Sequence, residues 1–298
     1  MKHTITKTLM IGTLACCSIF SARADKVEDP QLPRNHEEKT LTDRLTDIQK
    51  KTDKLNLDMH GAAHLNFEDG FQNGNFELRE FRIEARGQLT DWLSYRYRQK
   101  LNRSNNGSVN VDNIPSSIDF ACLNFQITPR FGFTVGRQGA AYGGTEYDLN
   151  PIEVYEYADF TNNTEAFMTG VCFSYLVTPT QELNFQVLNN RNAKSTVEMY
   201  GADLKDAKLP LVYTLNWNGN FSEQFIPRWS VSYIKEPLSK DMYFMTLGNE
   251  FKVERLGGYV DFTYSKEGLD RTGMVARIIN PIEGDIASFQ AASSRYVS

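Results

Sequence analysis

Five basic residues lie at alternate positions in two neighbouring segments of the chain, residues 76–90 and 92–103. They are Arg82, Arg86, Arg96, Arg98 and Lys100, and we call them the basic wall. The planar arginine side chain can donate two hydrogen bonds to one phosphate or carboxylate, and a row of cations in a narrow passage attracts anions. The pattern therefore indicates binding of small anions. The alternative is a structural net of salt bridges, because Glu80 and Glu84 stand among the basic residues.

A later segment, residues 139–166, contains no lysine or arginine but is rich in acidic residues. The candidates are Glu146, Asp148, Glu153, Glu156 and Asp159. If this segment folds into the interior and faces the basic wall, the opposite charges create a transverse field across a constriction, which suits polar solutes in general. The alternative is a solvated extracellular loop. The spacing of the acids matches no calcium-binding loop.

The basic wall belongs to a predicted hairpin. Before a turn at residues 88–91, Phe81 and Ile83 alternate with charged residues, and after it Leu93 and Tyr95 do the same. Successive strand residues point to opposite faces, so each half is predicted to be a strand with one apolar and one charged face. A soluble sheet would bury the apolar face. The rest of the chain favours the reverse, with the apolar face in lipid and the charged face toward a water-filled lumen.

The same period of two recurs along the chain and predicts about twelve or thirteen strands. Outside the hairpin they fall at residues 57–67, 121–127, 131–135, 167–177, 183–187, 209–217, 229–233, 243–253, 259–264 and 274–279, with 285–297 as the start of another. The segment 285–297 has no evident partner, and an open sheet edge is costly in lipid. We therefore expect this sequence to be shorter than a complete barrel.

The connections between the strands alternate in length. Turns near residues 90, 129, 180, 221 and 255 are short, whereas 68–75, 103–117, 139–166 and 189–208 are longer and rich in Asn, Gly and Asp. Short turns at one end and long loops at the other indicate a transmembrane antiparallel β-barrel. A β-sandwich has similar strand spacing but less need of aromatic residues at strand ends, such as Trp92, Phe131, Trp217 and Trp229.

The N-terminal part has a different organisation. Residues 1–24 are predicted to be a signal peptide, because lysines precede an apolar core and a small-x-small cleavage site; lipoprotein processing at Cys16 is a weaker alternative. A flexible leader at 25–39 and a short coiled-coil helix at 40–56 follow, the helix having apolar residues at heptad spacing. It is interpreted as a trimer axis or as an amphipathic helix packed on its own chain. The barrel then occupies residues 57–298.

Composition narrows the class of protein. The chain has a net charge of −5 at pH 7, and loss of the signal peptide makes it more negative, which argues against nucleic-acid binding.

Cys122 and Cys172 fall on strands separated by a third, too far apart for a disulfide, so we predict free thiols. His60 and His64 lie about 13 Å apart along one strand. With no nucleophile, phosphate-loop or zinc pattern, we predict no enzyme activity, cofactor or metal site.

The motif Val135-Gly136-Arg137-Gln138, followed by Tyr147-Asp148-Leu149-Asn150-Pro151, resembles the phosphate-selective porins of Gram-negative outer membranes, the O and P type. The signal peptide, the short coiled coil and the arginine-bearing first hairpin add to the resemblance, which covers about residues 40–298. It implies a trimeric barrel of sixteen strands, with a constriction lined by arginines and passive uptake of anions. The basic wall matches that arginine lining as a class of residues.

We therefore expect an outer-membrane porin for passive diffusion of small hydrophilic solutes, with a preference for anions or phosphate that arises from the basic wall. Its expected partners are outer-membrane lipid, small anions such as phosphate, and further copies of the chain in a homotrimer. The alternative is a non-conducting receptor or adhesin barrel that acts through its long extracellular loops.

Overall fold

The fold is a single antiparallel sheet. A computed structural model describes residues 54–68, 73–103, 112–149, 154, 157–158, 161, 164–190, 195–201, 203–221, 224–253, 256–271 and 294–297. The strands are β1 Asn56–Glu68, β2 Asn73–Thr90, β3 Leu93–Lys100, β4 Ile118–Thr128, β5 Phe131–Gly139, β6 Phe167–Thr178, β7 Gln181–Asn189, β8 Leu211–Gly219, β9 Phe225–Ile234, β10 Met242–Val253, β11 Leu256–Glu267 and β12 Ser294–Val297. They lie side by side in chain order, and Ser294–Val297 pairs with β11, so the prediction that residues 285–297 lack a partner is wrong for these four residues. The helix α1 (Thr196–Tyr200) and two 3-10 turns, Glu146–Asp148 and Pro237–Ser239, lie between strands.

The predicted all-β class and the positions of the short turns are confirmed. Strand pairs are joined at residues 91–92, 129–130, 179–180, 220–224 and 254–255. The prediction of a long loop at 68–75 is wrong, because β1 continues to Glu68 and pairs there with Asn73 of β2. Ladder hydrogen bonds join backbone groups, so a segment rich in Asn and Gly can still extend a hairpin.

Three of the short turns share a local pattern. Before each turn an exposed apolar residue is the extra residue of a β-bulge, and a threonine follows it; the apolar residues are Leu89, Ile127 and Val177. After β4, the hydroxyl of Thr128 accepts hydrogen bonds from the backbone N–H groups of Arg130 and Phe131 at 3.3 and 3.0 Å. Such side-chain bonds to the backbone close a turn locally.

The two faces of the sheet have inverted polarity. One face carries buried polar side chains, among them Arg82, Asn124, Gln186, Ser230 and Thr246. The other carries exposed apolar side chains, among them Leu57, Leu123, Phe185, Leu215 and Val231. A soluble sheet buries its apolar face, so this arrangement is the one expected of a sheet with lipid outside and a polar interior. We call the buried polar side the inner face.

Aromatic side chains form clusters at both ends of the outer face. At the short-turn end they are Trp92, Phe125 and Phe133, with ring centroids 6.0 and 4.7 Å apart, and Trp217 with Trp229 at 5.2 Å. At the long-loop end they are Tyr213, Tyr233 and Tyr243, at 6.1 and 5.1 Å. Aromatic girdles of this kind mark the two membrane interfaces of outer-membrane barrels.

Several predictions concern residues outside the described ranges. These are the signal peptide at 1–24, the leader at 25–39, residues 40–53 of the coiled-coil helix and the strand at 274–279. At the end of that predicted helix, Lys54 and Leu55 are not helical, and Asn56 already pairs with Arg86 as the first residue of β1. The helix boundary at 56 is therefore wrong, since backbone pairing with β2 extends the ladder to Asn56. Among the described residues, no helix has the length and apolar character needed to cross a membrane.

Leu215 tests the assignment of the outer face to lipid. It lies in the middle of β8 and is 50% exposed. Leu215→Lys should reduce the stability of the protein folded in lipid vesicles by about 2–4 kcal/mol, because a charge at this depth is costly in hydrocarbon. Leu209→Lys is the matched control, since Leu209 is 71% exposed but lies before β8. Equal effects of the two substitutions in reversible urea titrations would contradict the assignment.

Candidate functional site

The basic wall occupies the inner face of the β2–β3 hairpin. Strand pairing places Arg86 opposite Arg96, Glu84 opposite Arg98 and Arg82 opposite Lys100. Directly opposite residues of an antiparallel pair share one face, so the five cations form one continuous patch. The structure thus brings together all five residues that the alternating pattern selected.

Each cation of the basic wall contacts a carboxylate. The pairs are Arg82–Glu80 at 2.8 Å, Arg82–Asp119 at 3.8 Å, Arg86–Asp58 at 3.0 Å, Arg96–Glu84 at 2.9 Å, Arg98–Asp119 at 3.1 Å and Lys100–Glu80 at 3.5 Å. Five cations therefore share four carboxylates, and the patch has one surplus positive charge. The salt-bridge net, one of the two interpretations of the sequence, is present, and a small positive excess remains to attract anions.

Sequence reasoning missed two members of this net, Asp58 and Asp119, and Asp119 joins it through an irregularity of β4. Arg98 lies opposite Phe120, whereas Gln99 lies opposite Ile118, so Asp119 is the extra residue of a β-bulge. Simple alternation would put Asp119 and Phe120 on opposite faces. The bulge instead lets the buried Asp119 carboxylate pair with Arg98 while the guanidinium of Arg98 lies 4.6 Å from the Phe120 ring. The only sequence signal is that Asp119 is the single charged residue of β4.

The cations of the basic wall differ in accessibility. The side chains of Arg82, Lys100 and Arg98 are 3, 10 and 11% exposed, whereas those of Arg96 and Arg86 are 25 and 31% exposed. Removing one partner of a buried ion pair leaves an uncompensated charge, which is strongly destabilising. The first three are therefore structural, while Arg86 and Arg96 remain partly exposed on the inner face.

The chain that leaves β5 crosses the inner face of the sheet. We call residues 140–149 the inner loop. The N–H of Ala141 donates to the side-chain oxygen of Gln186 on β7 at 2.7 Å, and the N–H of Gly144 donates to the carbonyl of Arg228 on β9 at 3.0 Å. These two partners lie two and four strands away from β5. This part of the segment 139–166 therefore lies against the inner face of the sheet.

Tyr142 attaches the inner loop to an apolar cluster on the inner face. The cluster consists of Tyr142, Met168, Leu188, Val212, Ile234, Met242 and Phe244. The Tyr142 ring meets the Phe244 ring edge to face, with centroids 4.6 Å apart. Burial raises the pKa of Tyr142, so its phenol stays neutral. Burying this ring gives the loop a hydrophobic attachment on a face that is otherwise polar.

Two of the predicted loop acids, Glu146 and Asp148, lie in the described part of the chain. Asp148 pairs with Arg228 at 3.0 Å. Arg228 belongs to β9, whereas the basic wall lies on β2 and β3. Glu146 accepts hydrogen bonds from the N–H of Ala158 and the hydroxyl of Thr161, both at 2.6 Å. Its carboxylate therefore ties the inner loop to a later part of the same connection. The other three acids, Glu153, Glu156 and Asp159, lie outside the described residues.

Tyr157 is a further residue that sequence reasoning missed. Burial raises its pKa to about 12, and its phenol interacts electrostatically with Arg82 and Arg98 as well as with Glu146 and Glu80. A neutral hydroxyl of the connection therefore lies within electrostatic range of both the inner loop and the basic wall. Nothing in the sequence distinguishes this tyrosine from the other tyrosines of the segment.

The motif VGRQ, near the end of β5, connects the two faces of the sheet. Gln138 faces inward and accepts a hydrogen bond from the side-chain amide of Gln186 at 3.2 Å. Arg137 has the opposite orientation and pairs with Asp112 of the β3–β4 connection at 3.1 Å. Gly136 has a φ of 116°, and a β-carbon there would lie 2.3 Å from a carbonyl oxygen of β4, so the position requires glycine. The motif thus makes one contact on the inner face, through Gln138, and one on the opposite face, through Arg137.

The remaining chemical candidates are two cysteines and two histidines. Cys122 and Cys172 are buried and free, which confirms that prediction. They belong to β4 and β6, with β5 between them. His60 and His64 both lie on β1. Within the part of the chain that the structure describes, no group of three His, Cys, Asp or Glu residues is placed to hold a metal ion.

An apolar outer face, a polar inner face and a loop folded onto that inner face are the arrangement of a porin. The sequence pattern of the family described as phosphate-selective porin O and P matches residues 54–297. The chain belongs to this family, which confirms the resemblance noted in the sequence. No curated protein matches. A similar solved structure is OmpTdeltaL8, a loop L8 deletion mutant of OmpT, an outer membrane protein of Vibrio cholerae; it is 11% identical, has a TM-score of 0.33, and the match covers 72% of this chain and 83% of that chain.

The buried and accessible cations of the basic wall should respond differently to substitution. Arg98→Met should lower the free energy of unfolding by about 3 kcal/mol, because the buried Asp119 carboxylate loses its nearest cation. Arg86→Met removes a half-exposed pair and should cost less than about 1 kcal/mol. Urea unfolding in detergent micelles measures both. Adding Asp119→Leu to Arg98→Met should recover part of the lost free energy of unfolding, because no unpaired carboxylate then remains. Equal losses in the two single variants would contradict the division of the basic wall into buried and accessible cations.

Proposed function

We propose that the protein is a porin of the Gram-negative outer membrane through which small hydrophilic solutes diffuse passively. The inverted sheet is the observation that carries this proposal. Backbone hydrogen bonds are satisfied between strands, apolar side chains face outward, and polar side chains are buried on the inner face, as a pore in lipid requires. Membership of a porin family supports an outer-membrane location and a channel that carries out no chemical conversion.

The complete pore is proposed to be a closed barrel of sixteen strands, of which β1–β12 form a part. Closure is required physically, because each unpaired backbone group at an open edge costs several kcal/mol in hydrocarbon. Export by the signal peptide at 1–24, a coiled coil within residues 40–53 and assembly as a homotrimer complete the proposal.

The proposed selectivity is a modest preference for anions, phosphate included. The surplus positive charge of the basic wall favours anions, and the two accessible guanidinium groups of Arg86 and Arg96 can each donate a pair of hydrogen bonds to an oxyanion. All five cations have carboxylate neighbours, and the other three are also little exposed, which limits the preference. On the opposite side, the charge of Asp148 is balanced by Arg228.

The zero-current potential in a planar bilayer under a KCl gradient tests this function. The wild-type protein should conduct and show a moderate anion-selective potential. Arg86→Ala and Arg96→Ala should each lower the ratio of anion to cation permeability by roughly twofold, because each removes one positive charge from the passage.

Arg130→Ala is the matched control, since Arg130 is exposed in the β4–β5 turn and its loss changes the total charge equally. It should leave the potential unchanged. Cation selectivity in the wild type would overturn the anion preference while retaining the porin. A folded protein without conductance would favour the receptor barrel instead.

A further inference from the structure

Asp261 of β11 holds the inner loop by two backbone hydrogen bonds. The N–H of Thr145 donates to Oδ1 of Asp261 at 3.0 Å, and the N–H of Glu146 donates to Oδ2 at 2.9 Å. One carboxylate thus bridges two successive N–H groups, and hydrogen bonds to a charged acceptor are about twice as strong as neutral ones. Strand pairing places Asp261 directly opposite Gly248 of β10.

The loop approaches the sheet closely at this point because side chains are absent on both sides. Gly143 and Gly144 have φ angles of 72° and 83°, which favour glycine. A β-carbon on Gly248 would lie 2.5 Å from the α-carbon of Gly144 and 2.9 Å from its nitrogen. Any side chain at position 248 would therefore force the inner loop away from the wall.

Further hydrogen bonds connect this contact to residues of the same connection that lie nearer the opening of the proposed pore. Glu146, whose backbone is bound by Asp261, uses its own carboxylate to hold Ala158 and Thr161. Ala158 is the neighbour of Tyr157, which lies within electrostatic range of Arg82 and Arg98. Hydrogen bonds therefore run from β11 through the inner loop to Ala158 and Thr161, and Tyr157 beside Ala158 is within electrostatic range of the basic wall.

We infer that Gly248 and Asp261 form a loop anchor that sets the width and charge of the opening between the inner loop and the basic wall. Asp261 is a positioning residue, since it acts through Thr145 and Glu146. Releasing the loop widens the opening and moves the carboxylates of Glu146 and Asp148 away from it, so the pore becomes more conductive and more selective for anions. The inference rests on the proposed porin function.

Gly248→Ala tests the loop anchor without changing any charge. It should raise the single-channel conductance by roughly 1.5-fold or more and shift the zero-current potential toward anion selectivity. A Glu-specific protease should also cut within residues 139–166 faster than in the wild type. Gly258→Ala is the matched control, because a β-carbon on Gly258 meets no atom within 4 Å. It should match the wild type in all three measurements.

Asp261→Asn tests the same loop anchor by changing the acceptor on β11 instead of the glycine on β10. Asparagine keeps one acceptor oxygen, so one of the two N–H groups loses its partner. Conductance, potential and cleavage should change in the same direction as in Gly248→Ala, while Asp91→Asn in the exposed β2–β3 turn should change none of them. If Gly248→Ala fails to fold, the conductance, potential and cleavage of Asp261→Asn alone test the loop anchor. Wild-type cleavage and conductance in folded Asp261→Asn or Gly248→Ala would overturn the loop anchor.

The two proposals fail in distinguishable ways. A folded wild-type protein without conductance would end the porin proposal, yet the cleavage measurement would still judge the loop anchor. Conversely, a conducting wild type with an unchanged Gly248→Ala variant would retain the porin and remove the anchor.

Discussion

Backbone pairing between neighbouring strands is the constraint on which the rest of this structure depends. In hydrocarbon each N–H and C=O group needs a partner, and an antiparallel ladder supplies these partners regardless of side-chain type. The side chains are then free to adopt inverted polarity, with Leu215 and Val231 outward and Gln186 and Ser230 inward. The interior that results is polar and partly dehydrated, so its charged groups must satisfy one another.

The basic wall shows the consequence of that requirement. A row of cations with no carboxylates would pay a high desolvation and repulsion cost, and Asp58, Glu80, Glu84 and Asp119 offset it. Most of the charge therefore stabilises the sheet, and the proposed anion preference depends on the small excess and on which guanidinium groups remain accessible. In this proposal, the same residues serve structure and transport, and burial decides which of the two tasks each one performs.

The interior is asymmetric because one connection fills part of it. The inner loop combines a hydrophobic contact at Tyr142, an ion pair at Asp148 and backbone bonds to Asp261. These contacts lie on β7, β9, β10 and β11, whereas the basic wall lies on β2 and β3. The proposed opening is thus bounded by two different surfaces, the sheet face that carries the basic wall and a loop whose position depends on a few specific contacts.

The period of two in the sequence determined the strands, their faces and the membership of the basic wall, because alternation is a local property of an extended chain. The short turns, the free cysteines and the family could also be predicted, since each depends on neighbouring residues or a short motif. The structure extended β1 and β2 beyond the predicted boundary at 68–75, because cross-strand pairing overrides composition.

Only the tertiary structure decided the chemistry of the interior. The bulge at Asp119 interrupts the alternation of faces on which the strand prediction relies. The place of its carboxylate in the salt-bridge net could therefore not be predicted from the sequence. The bond between Thr145 and Asp261 joins residues 116 positions apart, and the partner of Asp148 is Arg228. Such contacts depend on which strands curve toward one another, and no local pattern encodes that proximity. For the same reason, the sequence could select five candidate cations, but burial in the folded sheet separated the three structural ones from Arg86 and Arg96.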